Sequence, residues 1–88
     1  MKNIKLESGL SLKIEDNVLN NMELLDTLVA MDEGDWHAMS QCMAMILTPE
    51  EKKKLYDHLR NEKGVVQIDA VSKAMNDIFS ALGAQGKN

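Results

Sequence analysis

Between Asp35 and Glu51 the chain reads DWHAMSQCMAMILTPEE, and this stretch limits the possible folds more than any other. Trp36, Met39, Met43, Ile46 and Leu47 recur at helical spacing and form one apolar stripe. Cys42 and Met45 widen that stripe until little polar surface is left. A helix that is apolar most of the way round is either buried on two sides or covered by a partner. Asp35 precedes it as an N-cap, because its carboxylate accepts from the first free backbone N–H groups. Thr48-Pro49-Glu50-Glu51 closes this helix and opens another. Thr48 caps, Pro49 suits the first helical position, and the two glutamates complement the positive end of the dipole.

A chain of 88 residues allows one domain, expected here over residues 1–83 with 84–88 as a flexible C-terminal tail. So short a chain buries a modest fraction of its surface and is marginal without a staple or a partner. The single cysteine rules out an intrachain disulfide. One thiol and no recognisable signal peptide point to a reducing cytoplasm. No apolar run reaches membrane-spanning length. A net charge of −4 argues against general nucleic-acid binding, which needs a cationic face. Aromatic residues are few and methionines number seven. Methionine fills irregular cores, its ordinary use, and also builds adaptable binding surfaces.

Along the chain, Ile4, Leu6, Leu10, Leu12 and Ile14 alternate with Lys5, Ser11 and Lys13, the two-residue period of a strand. Ser8-Gly9 breaks the run, so residues 2–7 and 10–14 read as an N-terminal β-hairpin within residues 1–14. A lone hairpin needs its apolar face covered. Its open edge is either capped or paired between subunits. After the polar connector Glu15-Asp16-Asn17 and a short turn at Val18-Leu19, Asn20 or Asn21 caps a helix running to about Asp32. Its inner positions read as Met22, Leu25, Leu28 and Val29, with Leu24 and Met31 on the flank. A third helix runs from about Pro49 to Asn61, with Leu55, Tyr56 and Leu59 inward. Lys52-Lys53-Lys54 on that helix fan over about 200° and make a solvated surface, not one basic face. A loop over residues 61–69 with a short extended piece leads to a fourth helix, Ala70–Leu82, capped by Asp69 and ended by Gly83, with Val71, Ala74, Met75, Ile78, Phe79 and Leu82 as its apolar stripe. The fold class is therefore α+β and predominantly helical, with an N-terminal β-hairpin followed by a compact four-helix bundle.

Site chemistry is absent from these patterns. Placing Gly64 sixth in a calcium loop puts Leu59 first and Ala70 twelfth, and neither binds calcium. His37 and Cys42 lie on different faces of one helix, and His58 stands on another, so no metal set forms. Cys42 sits within the methionine-rich stripe, where a buried, inert thiol is the default. No catalytic, cofactor-binding or metal residue is expected, and the chain does not read as an enzyme. The rival from another class is a small helix-turn-helix DNA-binding regulator. A recognition helix needs exposed Arg, Lys, Asn or Gln. The fourth helix offers Lys73, Asn76 and Asp77, and the third mixes Lys53, Lys54 and Arg60 with Glu50, Glu51 and Asp57.

The order of parts resembles a known family. An IKLESG opening precedes DNVLNNMELLDTLVAMDEGD. Then come an apolar helix, LTPEEKKKLYDHLR, GVVQIDAVSKAMNDIFSALG and a terminal KN. This resembles the small tail assembly chaperones of long-tailed bacteriophages and prophages, particularly those of Gram-positive hosts, across nearly the whole chain. The resemblance implies a helical, non-enzymatic protein of the host bacterial cytoplasm. Such proteins bind the hydrophobic tape-measure protein until tail-tube subunits polymerise around it. They self-associate, and many occur as a short and a frameshifted longer form, of which this chain resembles the short one. The family has no catalytic residues to carry over.

The residues expected to bind a partner are Trp36, Met39, Met43, Met45 and Ile46, some of which must also be core. Met45 falls about 200° from Met43 and so on the opposite side of the helix. The partners implied are the tape-measure protein, the tail-tube protein and further copies of the chain, with neither membrane nor nucleic acid. A dimer or larger oligomer follows from an apolar helix that so short a chain cannot readily cover.

Overall fold

The computed structural model describes residues 2–83. The expected tail at 84–88 lies outside the described residues. Two strands, β1 (Lys2–Lys5) and β2 (Ser11–Ile14), precede four helices: α1 (Met22–Asp32), α2 (Trp36–Ile46), α3 (Pro49–Leu59) and α4 (Ile68–Leu82). The fold is α+β, a hairpin followed by four helices around one core.

The hairpin pairs antiparallel with Ile4 opposite Leu12 and Lys2 opposite Ile14. Alternation then sends Ile4, Leu12 and Ile14 to one face, all buried, and Lys5, Ser11 and Lys13 to the other. Leu6, just past β1, joins the buried face. The turn closes through the Leu6 N–H on the Leu10 carbonyl (2.8 Å) and the Gly9 N–H on the Leu6 carbonyl (2.9 Å). Gly9 adopts φ +103°, a conformation that strains any side chain. The strand edge is capped: the Lys13 N–H donates to the Glu51 carboxylate of α3 at 2.7 Å. That bond, helped by Lys54 at 3.3 Å, holds the Glu51 carboxyl below its ordinary value. α4 packs on β1 and α3 on β2, so helices cover the apolar face of the sheet.

Helix boundaries follow their caps. Asn21 Oδ1 accepts from the N–H groups of Glu23 (2.9 Å) and Leu24 (3.3 Å). Asp35 Oδ1 does the same for His37 (3.0 Å) and Ala38 (3.4 Å). Thr48 Oγ1 accepts from Glu51 N–H at 3.2 Å, with Pro49 in the first turn. Gly34 at φ +94° turns the chain between α1 and α2, which lie against each other. Two boundaries differ from the sequence pattern. α3 stops at Leu59, because Arg60 turns extended and bridges to Val66. α4 starts at Ile68, two residues before Ala70. Its N-cap is Gln67, with no side-chain cap bond, and Asp69 lies in the first turn, where its charge still favours the dipole.

The larger correction concerns the rotation of α1. The pattern turns Met22, Leu25, Leu28 and Val29 inward, but the structure buries Leu24 and half-buries Leu28 and Met31. Met22, Leu25 and Val29 face out. Large apolar residues cover about half the circumference of α1, so helical periodicity alone does not fix the centre of its buried face. The contact with α2 selects the Leu24 side, bringing the Thr27 hydroxyl to Cys42. No described helix is long and apolar enough to cross a membrane.

Adjacent leucines test this rotation. Leu24→Ala should cost ~2–5 kcal/mol, as a buried truncation does, and Leu25→Ala no more than ~0.5 kcal/mol. Urea unfolding of both variants measures the difference, and equal losses would contradict the observed face. Thr48→Ala should lower stability by ~1 kcal/mol in the same assay through the lost cap.

Candidate functional site

Helix α2 has more apolar circumference than the core absorbs. Ala38, Cys42, Met43 and Ile46 are buried. Trp36, at the N-terminal end, keeps 65 % of its surface exposed. Beside it runs a groove of about 200 Å³ lined by Trp36, Met39, Ser40, Met43, Tyr56, Val66, Ile68 and Val71. A second depression of about 150 Å³ shares Trp36 and Met39 and continues toward Met31 and Gly34. The indole therefore stands between two apolar hollows.

Four segments build the groove. Asp35 caps α2 and fixes where Trp36 leaves the helix. Tyr56 comes from α3, one turn after Lys52, whose ammonium lies 5.5 Å from the ring centroid. Val66 is held by the loop after α3. There Asn61 Oδ1 accepts from Lys63 N–H (2.9 Å) and Val65 N–H (3.0 Å), and Arg60 donates to the Gly64 carbonyl at 3.0 Å. Val71 comes from the first turns of α4. Val65 and Ile68 add exposed apolar surface to this end of the molecule. Sequence reading passes over Val65, Val66 and Ile68. The signal for them is three branched apolar residues in the otherwise polar stretch GVVQID: Val66 pairs with Arg60 and packs on the core, while Val65 and Ile68 stay exposed.

Of the five residues expected to bind a partner, Trp36, Met39 and Met43 meet at the groove, with Met43 as its buried floor. Ile46 is in the core. Met45 is exposed on another side, where it lines a depression with Met22 and residues 15–21.

The remaining candidate chemistry is dispersed. Cys42 is buried, and burial raises its thiol to about 11, the Thr27 hydroxyl offsetting part of the effect. His58 Nε2 lies 2.9 Å from Ser8 Oγ and shares a hydrogen bond with it at the surface. Among the described residues no three His, Cys, Asp or Glu side chains converge on a common metal position. Two lysines of the run pair with local carboxylates: Lys53 and Arg60 share Asp57, at 3.0 and 3.3 Å, and Lys54 pairs with Glu51. These two cations hold the exposed Asp57 carboxyl below its ordinary value. On α4, Lys73 approaches Glu7 at 3.7 Å.

No family profile matches the chain, and no curated protein or solved structure shows significant similarity to it. The site is therefore described by its own geometry: a shallow, methionine-floored apolar groove beside an exposed tryptophan.

With its thiol at about 11, only about one Cys42 in a thousand is ionised at pH 8. An aromatic disulfide reagent should barely modify the folded protein at that pH, and should modify it fully once denaturant is added. Prompt reaction of the native protein would show Cys42 to be accessible.

Proposed function

We infer that this protein is a phage tail assembly chaperone that binds apolar helical segments of a tape-measure protein during tail morphogenesis. The observation that carries the reading is the exposed Trp36 beside a groove floored and walled by Met39 and Met43. A soluble protein leaves a large aromatic beside an apolar hollow at a cost in solubility, and such surfaces mark interaction sites. Tryptophan is also the side chain most often found dominating binding energy. Flexible methionine lets one groove accept varied side chains, as a client with many different apolar helices requires. The resemblance of the chain to the tail chaperones supplies the client.

On this reading the protein acts without catalysis, cofactor or metal, in the host bacterial cytoplasm, and works as a homo-oligomer. The tail-tube protein is a second partner. Pairing of Lys53 with Asp57 and of Lys54 with Glu51 favours this reading over a DNA-binding regulator, because it offsets part of the positive charge that α3 could offer phosphates.

Trp36 is the only tryptophan, so its emission reports the site directly. Titration with tape-measure fragments should shift that emission to shorter wavelength, and Trp36→Ala should weaken fragment binding by ~2 kcal/mol or more, about thirtyfold, with folding intact. In co-expression the variant should fail to keep the fragment soluble. Unchanged capture by Trp36→Ala would place binding elsewhere. Retention of the wild-type protein on heparin at low salt would favour the regulator.

A further inference from the structure

The outward face of α1 is a second apolar surface, separate from the groove at Trp36. Met22, Leu25 and Val29 are 67 %, 50 % and 51 % exposed. Their i, i+3, i+7 spacing puts them in one stripe about 10 Å long. Met45 of α2 continues the stripe at the Met22 end, since both line the same depression. None of the four is required to hold α1 in place, because Leu24, Leu28 and Met31 face the core. Valine at an exposed helical position also lowers helix propensity, so local stability does not account for Val29.

Charge limits what can cover this stripe. Around the helix, Asp26 falls on one border and Asp32 on the other, with Glu23 and Glu33 close by. All four are exposed, and none takes part in an ion pair among the described residues. The flanking sequence supplies no cation either. Between Lys13 and Lys52 the sequence has no lysine or arginine, while nine of the fourteen acidic residues fall there. An apolar stripe bordered by carboxylates on both sides is the complement of an amphipathic helix whose apolar face is bordered by Lys or Arg. The same arrangement sets partner choice in paired helices through the positions beside the apolar seam. A symmetric pairing of α1 with α1 of a second copy would instead oppose carboxylate to carboxylate.

We propose that the Met22–Leu25–Val29 face of α1 docks a cationic amphipathic helix of a partner protein, selected by the flanking Asp26 and Asp32. Apolar contact supplies the attraction and the borders supply the choice of partner. This surface is distinct from the Trp36 groove and does not depend on the function assigned to that groove.

The test uses the full chain and two labelled helical peptides of about eighteen residues, enough for roughly five turns. Both carry the same leucine stripe, one bordered by lysines and the other by glutamates. By fluorescence anisotropy the lysine peptide should bind at least about tenfold tighter than the glutamate peptide. Its affinity should fall as salt rises from ~0.05 to ~0.5 M, since exposed charges are screened. Asp26→Lys with Asp32→Lys should reverse the preference, and Leu25→Ser with Val29→Ser should abolish binding of both peptides. Trp36→Ala should leave the preference unchanged, which separates this face from the groove. Circular dichroism checks folding, and the aspartate pair, being exposed, keeps the test decisive if the serine pair unfolds. Equal binding of both peptides, a preference untouched by charge reversal, or loss of binding through Trp36→Ala would overturn the proposal. So would self-association of the free protein that Leu25→Ser with Val29→Ser abolishes, which would assign the face to a second copy.

Discussion

The burial of one side of a two-stranded sheet holds this molecule together. Strands of four residues cannot stand alone in water, where a single hairpin is marginal at best. Ile4, Leu6, Leu12 and Ile14 become useful only when helices cover them, and α3 and α4 do so from opposite strands. The reciprocal also holds. Leu55 is the one fully buried side chain of α3, and α4 directs Val71, Ala74, Met75, Ile78 and Phe79 inward. Neither helix would bury those residues without the sheet and its neighbours. Glu51 ties the two layers at the strand edge, where its carboxylate occupies an N–H that could otherwise recruit another strand.

The α1–α2 pair makes a different use of apolar residues. Both helices have more apolar circumference than one small core can absorb. In α2 the surplus collects at Trp36 and becomes one wall of a groove. In α1 it lies on the side opposite Leu24 and becomes a stripe. A chain of this size commonly lacks the surface to conceal such an excess, and large apolar residues left in contiguous groups at the surface are the mark of association. The two surplus regions differ in electrostatic setting. The groove is walled in part by α3, where Lys53 and Lys54 pair with Asp57 and Glu51, whereas the α1 stripe is bordered by Asp26 and Asp32, which make no ion pair among the described residues. The proposed client groove and the proposed docking face thus occupy separate places on one small fold.

Much of this was legible before any coordinates. The two-residue period of Ile4 to Ile14, the Ser8-Gly9 break, and the caps at Asn21, Asp35 and Thr48 are local signals. Each is written in a few consecutive residues, and each requires only hydrogen bonds or backbone torsions available there. The buried faces of α3 and α4 were equally readable, because their polar and apolar residues separate cleanly. The burial of Cys42 followed from its apolar neighbours in sequence. α1 was the exception among the helices. With Leu24, Leu25, Leu28, Val29, Met22 and Met31 spread over about half the circumference, periodicity does not fix the centre of the buried face.

Local chemistry in the sequence thus determined where elements begin, what kind they are, and that apolar surface is in excess. Tertiary structure alone decided which part of the excess is core and which is site. It turned Leu24 inward and Leu25 outward, and placed Ile46 in the core and Met43 under a groove. It also brought Tyr56, Val66 and Val71 from three later segments to complete a wall that no contiguous stretch of chain encodes. The physical reason is that hydrophobic burial is non-directional. A leucine records that it should leave water, but only the packing of other elements around it determines toward which side.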